Sequence, residues 1–426
     1  MLDPLLFDLF NWSQVRGGPF ARRIRPLALV AVAAYLRIRY WLIRIRLKLV
    51  KRFRKLRVVF VIGDECKWKC QTVYDAMVQS ELFDPYVAPT MMDLGWIDDA
   101  LQPERVRKCR EYLLACGCKV LDMVDAPSMT AYPFSKCKAD IVIYQQPWGM
   151  PKCQSPIAVS RYALTFYTPY FIAAIGVPWL DFEAPFHKLT YGSLMENEAW
   201  VGYYKSKASR YHVGSRLFAC GCPMRDAIAA YSGKAENAVI FAPHWSLPLE
   251  LNHGSSNDST FLWSGALILE YAKRHLDVHW IFKPHPMLRI KLIQCKVMTE
   301  KEVDEYWGAW REVGEVVESG DYIPLFYRSR AMVTDCMSFQ SEYLIVNRPL
   351  IHLRSEFANK PLPPGEKLET AFYDAWNEKE LLDKLALIVE NQKDPMWNKR
   401  TAVRHELGFD DNHVSGRMID IISAQI

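Results

Sequence analysis

Four apolar runs in this 426-residue chain end on groups that handle anions or protons. VHWIFKPHP stops at Lys283-Pro284-His285-Pro286. Prolines on either side of the histidine fix φ and remove two backbone donors, so the turn is stiff and holds its lysine and imidazole beyond a strand end. A rigid pair of cationic or hydrogen-bond-donating groups suits an anion, although one histidine of this kind also fits a satisfied structural group. AMVTDCMSFQSEYL places Thr334 and Asp335 at a second strand end, with Ser338, Gln340, Ser341 and Glu342 in the first turn of a helix. Free N–H groups and the positive dipole end favour a phosphate there. The same serines and glutamate also read as a capping box. AVIFAPHWS brings His244 and Trp245 to a third strand end. LRVVFVIGDECKW sets Asp64 and Glu65 at a fourth, where one of them can accept a proton or both can be solvated loop carboxylates.

The elements that must position these groups alternate. From Leu56 onward LRVVFVIG, YVAPT, KVLDMV and ADIVIYQQP read as buried parallel strands, with helices over 72–80 and 103–116. A polar helical region over 196–210 follows, then a boundary near 231–237. A second series comprises AVIFAP, VHWIFKP, GEVVES, AMVTD and PLIHL, with helices over 261–275, 302–313, 339–346 and 378–391. The expected fold is α/β, two doubly wound domains facing a cleft, with ligands beyond the carboxyl ends of the strands. The expected spans are 1–57 for an N-terminal helical segment, 58–232 for an acceptor-side domain and 233–426 for a nucleotide-donor domain. Internal repeats and a Walker-type phosphate loop are both absent from the sequence.

Charge is distributed unevenly. No acidic residue stands between Asp8 and Asp64, whereas Arg22 to Arg57 contains 13 lysines and arginines. The rest of the chain carries 40 basic residues against 48 acidic ones. PLALVAVAAYL, at 26–36, is about half the roughly 20 apolar residues that span a bilayer. Beyond it Ile38, Leu42, Ile45, Leu49, Phe53 and Leu56 recur at helical spacing, with Arg37, Arg44, Lys48, Lys51, Arg52 and Lys55 on another face. A basic amphipathic helix of this kind lies on an anionic membrane surface, with Tyr35, Tyr40 and Trp41 at the interface. It can also pack on its own protein with a solvated basic side. A nucleic-acid patch is disfavoured by the acidic remainder. Eleven scattered cysteines without zinc-knuckle spacing read as reduced, buried thiols of a cytosolic compartment, and neither a metal nor a cofactor is expected.

Taken together, the motifs resemble the CDP-glycerol glycerophosphotransferase family, the membrane-associated teichoic-acid primases and polymerases of GT-B architecture. CGCPMRD at 220–226 resembles its Gly-x-Pro-Arg-x-Asp turn, with Met224 inserted. APHWS, KPHP and TDCMSFQSEY are similar to its Ala-Pro-Thr-Trp-Arg, Lys-x-His-Pro and Thr-Asp-Tyr-Ser-Ser elements, and FDDNHVSGRMIDII to its closing segment. The chain departs at three points. The family's Trp-His-Gly would fall at QQPWGMPK, which has no histidine; Met337 replaces the first paired serine; and Ser246 replaces the arginine after the tryptophan.

The resemblance implies a bacterial cell-envelope transferase, peripheral on the cytoplasmic face of the membrane. It would move glycerol-phosphate or another polyol-phosphate from a CDP-linked donor to a lipid-linked or polysaccharide acceptor, releasing CMP. Positioning and charge stabilisation dominate such a displacement. Lys283 and His285 would then neutralise the pyrophosphate, with Ser338 and its helix start holding it. Glu342 or Asp335 would bind the ribose or position those groups, and Asp64, Glu65 or His244 would be the base. Two other readings stand beside it: a GT-B transferase of CMP- or other nucleotide-linked sugars for capsule or lipopolysaccharide, and a non-catalytic membrane-bound partner of a polymer-assembly complex.

Overall fold

The computed structural model describes residues 19–92, 99–125, 127–171, 185–207, 216–231, 236–248, 257–318 and 322–426. Residues 1–18 of the expected helical segment, 208–210 of the polar helix, 232–235 of the expected boundary and Ser319 of GEVVES lie outside them. The chain divides into two compact units. One comprises Met1–Tyr170, Pro178–Pro223 and His413–Ile426; the other comprises Phe171–Val177 and Met224–Asn412. The division thus falls inside CGCPMRD, ahead of the 232/233 boundary expected from sequence, and the closing segment rejoins the first unit. All eleven cysteines are free.

The first unit is built on a parallel six-stranded sheet in the order β2-β1-β5-β6-β7-β8. Its strands are β1 (Leu56–Ile62), β2 (Phe83–Pro89), β5 (Ile141–Tyr144), β6 (Leu164–Tyr167), β7 (Gly192–Met195) and β8 (Arg216–Ala219). A small antiparallel hairpin, β3 (Val124–Asp125) with β4 (Thr130–Ala131), stands apart. KVLDMV is therefore not a sheet strand. After Gly117, which turns the chain at φ 77°, the segment touches β2 through one isolated bridge, Val87 to Val120, before its last valine enters the hairpin. The chain runs from β1 outward to β2, then returns across β1 to β5, so the order reverses between β1 and β5.

Among the described residues a continuous helix, Pro19–Val50, precedes this sheet. At 100° per residue it carries two apolar stripes roughly opposite each other. Val32, Leu36, Tyr40, Ile43 and Leu47 are buried in one core with β1, β6, β7 and the terminal helix Val414–Ala424. The Tyr40 hydroxyl donates to the Leu189 carbonyl at 2.6 Å and shares a hydrogen with Thr165 Oγ1 at 2.8 Å. The stripe expected to be the apolar face is the other one. Ile38, Leu42, Ile45, Leu49 and Phe53 are 41–86 % exposed, together with Trp41, whereas Leu56 has left the helix and is buried in β1. The periodicity was ambiguous because both stripes repeat at three and four; the sheet claims one and leaves the other facing outward. The basic seams between them are partly engaged. Arg46 and Arg54 hold the fully buried Asp140, Arg44 and Lys51 donate to the carbonyls of Gln425 and Ile426, and Arg39 donates to that of Arg161. Arg37, Lys48 and Arg52 are exposed. Among the described residues no helix is long and apolar enough to cross a membrane.

The second unit repeats the plan. Its sheet runs β11-β10-β9-β12-β13-β14, all parallel, and comprises β9 (Ala238–Ala242), β10 (His279–Phe282), β11 (Gly314–Val316), β12 (Ser329–Thr334), β13 (Leu350–Leu353) and β14 (Tyr373–Ala375). Helices Phe261–Arg274 and Glu300–Val313 cover one face through Ile268, Ala272, Trp307 and Trp310. Here the order reverses between β9 and β12. In open α/β sheets that reversal opens a crevice beyond the strand ends, where ligands bind.

Candidate functional site

Beyond the reversal in the second unit stand the residues singled out at the ends of β9, β10 and β12. Asp335, one residue past β12 and 1 % exposed, ties the strand ends together. One carboxylate oxygen accepts the His244 N–H at 2.5 Å; the other accepts the Thr260 N–H at 2.6 Å and the Thr260 hydroxyl at 2.9 Å. Burial outweighs those three bonds and pushes its pKa up to about 6. Thr334 does similar work, donating to the Ala242 carbonyl at 2.6 Å and accepting the Cys336 N–H at 2.9 Å. Both are struts that fix the turn after β9 against the turn after β12.

The two histidines are what those struts position. Ladder-like bonds continue past β10: the Lys283 N–H reaches the Phe241 carbonyl, and the His285 N–H reaches the Pro243 carbonyl at 3.0 Å. The KPHP turn is thereby held beside APHWS, with the His244 and His285 rings 5.4 Å apart and Trp245 6.0 Å from His285. Each imidazole accepts at Nδ1. His285 Nδ1 takes the Met287 N–H at 3.1 Å; His244 Nδ1 takes the Ser246 N–H at 3.3 Å and lies 2.7 Å from the Ser246 hydroxyl. Geometry thus assigns both neutral rings the tautomer with the proton on Nε2. Burial holds the His244 pKa below its ordinary value, against the raising effect of Asp258, whose carboxylate is 4.0 Å from Nδ1. A neutral His244 in this tautomer offers a donor at Nε2, which suits a phosphoryl oxygen better than proton abstraction. Lys283 is buried in the same turn.

The helix Met337–Tyr343 starts after β12. Its N-cap is Cys336, with no side-chain cap bond, so the capping box expected at Ser338 is not built. Ser338 Oγ lies 3.4 Å from Cys336 Sγ. Ser341 bonds back to the Met337 carbonyl, and buried Glu342 accepts the Tyr322 hydroxyl at 2.7 Å. Gln340 is fully buried, and both ends of its amide lack a hydrogen-bond partner among the described residues. A buried unpaired amide costs about 1–3 kcal/mol. An internal water can satisfy its groups. Of the residues read from sequence, His244, His285, Lys283 and Ser338 thus lie together past the strand ends, Gln340 is buried behind them, and Thr334, Asp335, Ser341 and Glu342 are engaged in bonds that hold the turns. Sequence reading missed Thr260, Ser246 and Asp258; the polar run NDST ahead of the Phe261–Arg274 helix was the available signal.

Asp64 and Glu65 belong to the first unit, in the turn after β1. Asp64 accepts the Cys66 N–H at 3.1 Å and pairs with Arg105 at 2.7 Å, so its carboxylate is committed. The ligating atoms of Asp64, Glu65 and Cys66 lie within 4.8 Å of one another, which that ion pair and the turn itself account for.

No protein-family model and no curated protein sequence matches the chain. Solved structures do match in shape. The UDP-GlcNAc 2-epimerase of Neisseria meningitidis bound to UDP-GlcNAc aligns with a TM-score of 0.54 at 12 % identity, covering 87 % of this chain and 100 % of that one. The S. aureus MnaA–UDP complex aligns with a TM-score of 0.55 at 13 % identity, over 86 % and 96 %. The H444N variant of the wall teichoic acid polymerase TagF aligns with a TM-score of 0.53 at 11 % identity, over 87 % and 89 %. At such identities the likeness concerns fold. The chain has the two doubly wound α/β units of the GT-B class.

Proposed function

We propose that the chain is a transferase that moves glycerol-phosphate, or another polyol-phosphate, from a CDP-linked donor to a lipid-linked or polysaccharide acceptor at the cytoplasmic membrane face. One observation carries the reading: two imidazoles, each accepting at Nδ1 and so bearing the neutral ring's proton on Nε2, lie 5.4 Å apart past the strand reversal of the second unit, in the turn that holds buried Lys283. Fixed donors of this kind stabilise charge that develops on a phosphoryl group without reorganising. His285 and His244 contact the pyrophosphate, Lys283 supplies positive charge, and Ser338 completes the contacts. The bond from phosphorus to the CMP oxygen breaks as the acceptor oxygen attacks. The outward apolar stripe of the Pro19–Val50 helix, flanked by Arg37, Lys48 and Arg52, supports a peripheral seat on anionic lipid.

A nucleotide-sugar donor is the second reading, favoured by the absence of a histidine from QQPWGMPK and consistent with epimerases of the same fold that bind UDP or UDP-GlcNAc. Calorimetric titration of the full chain and of His285→Ala with CMP, CDP-glycerol, CMP-sialic acid and UDP-GlcNAc separates the two. Cytidine-specific binding, weakened about tenfold or more in the variant, is expected. Preference for CMP-sialic acid or UDP-GlcNAc over CDP-glycerol moves the assignment to a sugar transferase. Absence of binding to all four overturns the donor site and leaves the non-catalytic partner.

A further inference from the structure

Behind His244 lies a second buried acid, for which phosphate binding alone gives no task. The segment that carries it, just ahead of the Phe261–Arg274 helix, folds back on the turn after β9. The Asp258 N–H donates to Ser246 Oγ at 3.0 Å, and the Ser259 N–H donates to the Ser246 carbonyl at 3.1 Å. Ser246 Oγ lies 2.7 Å from His244 Nδ1, and Asp258 Oδ2 lies 4.0 Å from the same nitrogen. Asp258 Oδ1 accepts the Asn359 N–H at 3.4 Å, which holds the carboxylate in place. Little of this meets water: the side chains of His244 and Asp258 are 15 % and 3 % exposed, and Ser246 is fully buried.

We propose that Ser246 and Asp258 are positioning residues that let His244 take up a proton as a diphosphate binds, so that the anion meets an imidazolium. The assignment rests on the donor-site reading above. In the empty site the Ser246 N–H, 3.3 Å from Nδ1, can only donate, so Nδ1 is bare and the ring neutral. Burial favours the same form, against the raising effect of Asp258. A diphosphate diester brings two negative charges to the ring, and opposite charge at close range favours the charged form of an imidazole. The Ser246 hydroxyl serves either state, because it donates to a bare Nδ1 and, after rotating, accepts from a protonated one. The longer contact with the Ser246 N–H is then given up. The proton comes from the buffer, and no bond to phosphorus forms or breaks in this step.

The other charged groups around the ring leave room for that proton. Among the described residues, Asp335 accepts the His244 N–H, and Lys283 and His285 stand in the adjoining turn. Lys291, in the helix Leu288–Gln294, holds its Nζ 5.8 Å from the centre of the Trp245 ring, which lies 5.6 Å from that of His244. Two carboxylates thus stand against two lysines before the ligand arrives, and a bound diphosphate tips the site toward negative charge. A proton on His244 offsets part of that excess between the ligand and Asp258.

Calorimetric titration of the full chain with CDP-glycerol and with UDP-GlcNAc at about pH 7, repeated in buffers of low and high ionisation enthalpy, counts the protons exchanged. Both ligands are diphosphate diesters whose phosphates do not titrate near neutrality. The wild type is expected to take up about 0.5–1 proton per ligand, and to bind up to about tenfold more tightly for each unit by which pH is lowered between about 8 and 6. His244→Gln, which keeps a donor N–H, should abolish the uptake, and Asp258→Asn should at least halve it. His285→Gln should weaken binding and leave the uptake in place. Unchanged melting transitions confirm that the variants fold. A wild-type heat independent of buffer overturns the proposal and leaves the donor site standing. Uptake that survives in His244→Gln overturns it as well, because the proton then goes elsewhere, Asp335 being the other buried acid. Wild-type uptake in Asp258→Asn removes Asp258 from the arrangement and overturns its role. Uptake with UDP-GlcNAc alone overturns the CDP-linked donor and supports the proton-coupled site, whereas binding of neither ligand overturns both.

Discussion

Replacing Ile38, Leu42, Ile45 and Leu49 together with serine should detach the protein from anionic membranes without unfolding it. These side chains are 61 %, 44 %, 41 % and 53 % exposed, so about half of each is still available to be removed from water. Full burial of such a side chain is worth about 1.5–3 kcal/mol, and the available half about 1 kcal/mol. Four of them give roughly 4 kcal/mol, a loss of roughly 10³-fold in partitioning at about 1.4 kcal/mol per decade. Exposed Arg37, Lys48 and Arg52 add about 1 kcal/mol each on an anionic surface. Neutral vesicles should therefore bind the wild type about a hundredfold more weakly than vesicles rich in anionic lipid, and salt should narrow the gap. Sedimentation with vesicles of both compositions measures each factor, and the melting temperature provides the control, since surface substitutions shift stability by about 0.5 kcal/mol. A quadruple variant that sediments like wild type, or a wild type indifferent to lipid charge, would refute the membrane role of this stripe and leave it to some other covering.

Two further predictions concern the supports in the second unit. Asp335 titrates at about 6 when folded, against an ordinary 3.8, so it binds its proton more tightly folded than unfolded. Its contribution to stability is fully present below about pH 4 and is lost as pH rises to about 6, amounting to about 3 kcal/mol. Asp335→Asn should remove that slope from denaturant-derived stability measured across the window; a variant with the wild-type slope would show that the carboxylate ionises as freely folded as unfolded. Arg400, fully buried, binds Asp394 and both oxygens of Asn347. Arg400→Ala should cost about 3–5 kcal/mol in chemical denaturation, because it leaves the Asn347 oxygens without their donor and Asp394 with the Tyr373 hydroxyl but no cation. A loss below about 1 kcal/mol would mean water replaces the guanidinium.

Much of the second unit was legible because its strands are short apolar runs ending on polar residues, and β9, β10 and β12 lie where AVIFAP, VHWIFKP and AMVTD indicated. The strands β6, β7 and β8 were not. LTFY, GSLM and RLFA are four residues each, and all three interrupt their apolar character with a polar residue, so neither length nor alternation marks them. The N-terminal helix failed in another way. Its periodicity is real on both faces, and the choice of buried face was made by Leu189, Thr165 and the helix Val414–Ala424, contacts far away in the chain.

The same limit separates contact from support at the strand ends. A threonine-aspartate pair after an apolar run reads identically whether it faces a ligand or clamps the neighbouring turn. Only the three bonds to Asp335 and the two at Thr334 distinguish them. That division has a physical logic. A histidine can stabilise a phosphoryl group only if its tautomer and direction are set beforehand, and an exposed turn sets neither. On the proposed reading, burying a carboxylate that accepts the His244 N–H, and prolines that leave the His285 N–H as the KPHP turn's bond to Pro243, shifts the conformational cost from the moment of reaction to folding. The raised pKa of Asp335 is what that arrangement costs in stability, and it is borne by a residue that need not touch the substrate.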